Sequence, residues 1–207
     1  MNFSLPKNEN MDDSELSMKY LSDLSDIPLE NKLSSLTKLV DLYSSWIEEL
    51  RQTAKQLDSR YKTAAAKNIE NCNLAAARMY EGIKILKDNQ HARSAFMLAN
   101  RAMFMQRIHL QRQSEMAKKN ADRYPGDEEI SEWICGLDYQ EESDENARWR
   151  PFQIAFLLMD IKSITVDDSD DRNLVDLIWF PTGGGKTEAY LGLTAFTIFY
   201  RRLSHPE

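Results

Sequence analysis

Between Pro28 and Pro125 the chain has no proline and a single glycine, Gly82. Nothing in that span forces a helix to stop, because the strongest breaker, proline, costs ~3 kcal/mol in a helix interior and is absent. The apolar residues keep helical time. Leu33, Leu36, Val40, Tyr43, Ile47, Leu50, Ala54 and Leu57 alternate steps of three and four, the seam of a coiled-coil-like helix. A second frame, Ala65, Ile69, Cys72, Ala76, Met79, Ile83 and Leu86, alternates in the same way. The two frames are offset, so a stutter or a short turn near Asp58 and Ser59 separates them. Asp88 and Asn89 offer a break before a third helix from about His91 to Lys119. The spacing predicts a helical bundle or a long antiparallel hairpin, with a helical domain over residues 29–148.

The net charge of −7 conceals blocks of opposite sign. Residues 1–30 carry seven acidic and two basic groups, residues 51–120 fourteen basic and five acidic, and residues 121–150 ten acidic and three basic. Residues 1–28 are acidic and polar, which predicts a mobile tail. The basic block, with Arg93, Arg101, Arg107 and Arg112 on one helix, could meet DNA phosphates, but the four share no single face. Met97, Met103 and Met105 read as core or subunit contact, and His91 and His109 as surface or interface residues. Cys72 and Cys135 show no metal-ligand spacing, and no stretch approaches a membrane span, so a reducing cytoplasm is expected.

A second unit opens at Trp149-Arg-Pro-Phe-Gln153, where Pro151 suits the first turn of a helix. Residues 163–171 read as a polar loop, and Asp167, Asp168, Asp170 and Asp171 as a solvated run. Leu174–Phe180 has the length and β-branched share of a buried parallel strand. Thr182-Gly-Gly-Gly-Lys-Thr187 follows, then a helix to about Leu203. Consecutive glycines let backbone N–H groups surround an anion, and the next helix points its positive end at the same place. In such a loop Gly183, Gly184 and Gly185 with Thr182 cradle phosphates, Lys186 reaches the β/γ-phosphates, and the Thr187 hydroxyl ligates Mg²⁺. The expected ligands are therefore ATP and Mg²⁺. Gln153, thirty residues upstream of Gly183, is placed to recognise adenine, since an amide can both donate to and accept from the base edge. A lone strand in this position must pair with another chain or remain exposed, and hydrogen exchange at 172–187 is expected to outrun that at 33–57 and 92–110.

Phe180 stands where the general phosphate-loop pattern asks for glycine, a variant also tolerated in RecQ-type superfamily-two helicases. The stretch 177–202, with Ala92–Met103 and Trp149–Phe156, resembles the DrmA helicase family of the bacterial DISARM anti-phage systems. The resemblance is dense over residues 65–203 and thin before them. It implies an ATP-driven motor on DNA, a DrmB-like partner subunit, a DISARM methyltransferase, and no membrane. It also implies that residues 149–207 open a first RecA-like α/β domain (helix, strand, phosphate loop, helix) behind a mainly α N-terminal domain. No acidic Walker B box, arginine finger or second RecA-like domain follows Thr187. The chain is thus expected to be the front of a longer helicase, without catalytic residues of its own. The other reading is a stand-alone helical interaction module with a vestigial ATP loop.

Overall fold

The computed structural model describes residues 12–119, 126–179 and 183–206. Among the described residues seven helices run in chain order: α1 Met18–Leu21, α2 Leu29–Lys55, α3 Ser59–Asp88, α4 Gln90–Lys119, α5 Asp127–Cys135, α6 Pro151–Thr165 and α7 Lys186–Ser204. Two 3₁₀ turns, Asp13–Leu16 and Asp170–Asn173, precede α1 and follow α6.

The long helices stop where the offset frames require. Asp58 accepts a hydrogen bond from the Arg60 backbone N–H at 3.1 Å, an N-cap that starts α3 after a three-residue link. Asn89 caps α4 in the same way, accepting from Ala92 N–H at 3.0 Å. Leu36, Val40 and Ile47 of the first seam are buried, as are Ala76, Met79, Ile83 and Leu86 of the second. Leu57, at the end of the first seam, is exposed.

The second unit does not stand apart from the first. Helix α6 packs along α3, and α7 lies mainly against α4. Ile154, Leu157, Leu158, Ile161 and Phe196 belong to the same hydrophobic cluster as the buried residues of α2, α3 and α4. Gly82 is the contact point of α3 with α6. A Cβ there would lie 2.2 Å from the carbonyl oxygen of Leu158, so only glycine permits this approach.

Two expectations need correction. The acidic N-terminal segment is no mobile tail from residue 12 onward: Leu16, Met18 and Leu21 are buried. Ser17 forms an isolated antiparallel bridge with Arg148, with Met18 N–H donating to Ala147 O at 2.8 Å and Trp149 N–H to Leu16 O at 2.9 Å. Average composition hid three apolar side chains that have a core to enter. Residues 1–11 lie outside the described residues.

The second correction concerns the RecA-like opening. Among the described residues there is no β-strand, and Leu174–Trp179 is extended but unpaired. Side chains alternate along it as in a strand: Val175, Leu177 and Trp179 are 95%, 82% and 87% exposed, while Asp176 and Ile178 turn inward. A strand exists through a ladder of hydrogen bonds to a neighbouring strand, and among the described residues Leu174–Trp179 form no such ladder. Phe180, Pro181 and Thr182 lie outside the described residues.

Candidate functional site

Pro151 fixes the first turn of α6, and Arg150 at its N-cap and Gln153 in its first turn lie against the glycine loop. The Arg150 guanidinium donates to Gly184 O at 2.9 Å. The Gln153 amide donates to Gly185 O at 2.7 Å and accepts from Arg150 N–H at 2.7 Å. Two loop carbonyls are thereby tied to the start of α6. Gly183 and Gly185 have φ of +78° and +86°, in the left-handed region that glycine enters without strain. A Cβ on Gly185 would also sit 2.6 Å from the Gln153 amide nitrogen.

Lys186 begins α7 directly after Gly185, so the 19-residue helix points its N-terminus at the loop. The loop borders a cavity of about 400 Å³. Its lining includes Gln153, Gly183, Gly185, Lys186 and Thr187, with Arg107, Arg148 and Arg150 as further cations and Glu188 as the acid. The residues singled out in the sequence thus meet in one place, Thr182 excepted, since it lies outside the described residues. Gln153 is only 4% exposed, and its amide is engaged at both ends. The sequence did not place Arg107 or Arg148 at this loop, though it named Arg107 as a possible contact to DNA phosphates. Neither lies near the loop in the chain, and helical periodicity alone does not aim a side chain at a distant turn.

The four arginines of α4 take separate intramolecular partners. Arg93 donates to Lys87 O, Arg101 pairs with Asp23 at 3.4 Å, Arg107 donates to Asn146 O, and Arg112 pairs with Glu142 at 2.9 Å. His109 joins its helix to the acidic segment, its Nε2 2.6 Å from the Tyr139 hydroxyl. Met103 is buried in the core.

A second polar centre was not foreseen. Arg78 of α3 is buried and forms a bidentate pair with Asp176, at 2.7 and 2.6 Å. Asp160 of α6 and Asp171 stand 3.7 and 3.8 Å away. Asp171 therefore leaves the solvated run, while Asp167, Asp168 and Asp170 remain exposed. Burial and the neighbouring Asp176 charge push the Asp160 carboxyl up to about 7, against the opposing pull of Arg78. Hydrogen bonding to Arg78 holds Asp176 below the usual carboxylate range. Beside this centre an apolar cleft of about 530 Å³ opens between α2, α3, α6 and the extended segment.

No family model matches the chain. It is 35% identical over 209 residues to the DISARM protein DrmA of Bacillus paralicheniformis. The chain is related to DrmA. The alignment covers 98% of this chain, so the similarity also takes in the residues before 65. It spans 16% of the length of that DrmA. Among the described residues no helix is long and apolar enough to cross a membrane.

Proposed function

We propose that this chain is the N-terminal part of an ATP-dependent DNA helicase or translocase of a DISARM-like phage-restriction system, and that its glycine loop binds ATP with Mg²⁺. The observation that supports this best is the joining of Arg150 and Gln153 to Gly184 and Gly185 beside a cation-lined cavity at the N-terminus of α7. The donor set fits a polyphosphate: backbone at left-handed glycines, Lys186, and a helix end favouring anions. Thr187 is exposed on that cavity and offers a hydroxyl to a phosphate-bound Mg²⁺.

Adenine recognition by Gln153 involves an exchange in this reading. The amide releases Gly185 O or Arg150 N–H, neutral hydrogen bonds worth ~1 kcal/mol each, and takes the base edge instead. DNA, a DrmB-like subunit and a DISARM methyltransferase are the partners of the whole protein in this reading. Turnover belongs to that whole protein as well, because water activation and charge stabilisation require a carboxylate and an arginine from further elements.

The test is binding of a fluorescent ATP analogue to the chain with Mg²⁺, before and after Lys186→Ala, with helicity followed by circular dichroism. Saturable binding lost in Lys186→Ala at unchanged helicity is expected. Equal binding by both proteins would refute a phosphate role for the loop.

A further inference from the structure

Resting on the reading of the loop as a polyphosphate site, we propose that Arg107 of α4 is a phosphate-binding residue of that site, held by Glu188 while no phosphate is bound. Arg107 is the residue that the three long helices contribute to the cavity lining. Its guanidinium is anchored at one edge, where Nε and Nη2 donate to Asn146 O at 3.2 and 3.1 Å. The opposite edge faces Glu188, with Nη1 3.9 Å from Oε1. That separation is an ion pair without a hydrogen bond, so the guanidinium retains donors for a better acceptor.

Glu188 occupies the place an anion would take. It lies in the first turn of α7, where the helix favours negative charge. Its Oε2 would be 3.3 Å from a Cβ on Gly185, so the carboxylate reaches back over the loop. The cavity carries four cations, Arg107, Arg148, Arg150 and Lys186, against this one carboxylate, an excess of three positive charges. A polyphosphate matches that excess better than a single carboxylate does, and its several oxygens suit the fork of an arginine. Phosphate therefore displaces Glu188, and Arg107 turns its outer edge to the new anion. Because Arg107 projects from α4, the long helices then sense whether the loop is occupied.

The experiment compares wild type, Arg107→Ala, Arg107→Lys, Glu188→Gln and Lys186→Ala in the whole chain. It titrates a fluorescent ATP analogue with Mg²⁺ and competes it with inorganic tripolyphosphate, with circular dichroism on every variant. Arg107→Ala is expected to weaken both ligands about tenfold or more, as loss of a charge-assisted contact does, with partial rescue by lysine. Glu188→Gln is expected to tighten both. Wild-type affinity in Arg107→Ala, with Lys186→Ala inactive, would overturn the role of Arg107 and leave the loop reading intact. A loss for the ATP analogue but not for tripolyphosphate would also overturn it, by moving the contact to the nucleoside. Failure of wild type to bind either ligand would remove both proposals together.

Discussion

A methyl group on Gly82 has no space to enter, because its neighbour is the backbone carbonyl of Leu158 rather than a side chain that can swing aside. Two effects of Gly82→Ala oppose each other. Alanine gains ~1 kcal/mol in helix propensity within α3. Forcing α3 and α6 apart costs ~1–3 kcal/mol by overpacking, and the upper part of that range applies where backbone must move. The variant is expected to lower the urea midpoint; a raised midpoint would show that the interface relaxes freely. Trp149 illustrates the same economy of space with a polar tip. Its ring fills the notch left by Gly192, and its indole N–H donates to the buried Asn100 amide oxygen at 2.7 Å.

The arm formed by the second 3₁₀ turn and Leu174–Trp179 is held on α3 and α6 by the Arg78 cluster rather than by a sheet. The groups facing Asp160 are Arg78 from α3 and Asp171 and Asp176 from the arm, with Lys162 of α6 4.0 Å from Asp171. Asp160 is raised, so the folded chain favours its neutral form, and its contribution declines as pH rises from about 4 through about 7. Asp176 is lowered, so its contribution is present above the ordinary carboxylate range and is lost on acidification. Attachment of the arm is therefore expected to be strongest near pH 4 and to weaken as pH rises to about 7. Hydrogen exchange at 174–179, corrected for intrinsic rates, should quicken relative to α3 between about pH 4 and 7, and Asp160→Asn should remove that change. A profile identical in Asp160→Asn would assign that change to another group.

Much of this was legible at the level of elements. The three-and-four spacing located the seams of α2 and α3, Asp58 and Asn89 marked the breaks, and Pro151 marked the start of α6. Gln153 was read as an adenine-recognising residue, and its hydrogen bond to Gly185 O was not legible in the sequence. The Arg78 cluster was not legible, since Arg78 and Asp176 lie 98 residues apart and only packing makes them neighbours. Leu174–Phe180 was read as a strand from side-chain pattern alone, and that pattern does not supply a neighbouring backbone.

At the scale of the whole molecule, residues from both ends share one core. Leu16, Met18 and Leu21 enter it from the N-terminal side, and Phe196 enters from α7. The apolar residues outside that core are not scattered evenly. Val175, Leu177 and Trp179 form a row on an arm whose included charge, Asp176, is turned inward and neutralised by Arg78. Such a six-residue stretch has the signature of a segment that zips onto its own kind, and it lacks the outward charges that usually act as gatekeepers. The colloidal behaviour of this chain is therefore expected to respond to these few side chains and not only to its net charge of −7. Val175→Lys or Trp179→Lys is expected to raise the concentration at which light scattering begins, with little change in helicity. An onset equal to wild type in both variants would place the sticky surface elsewhere.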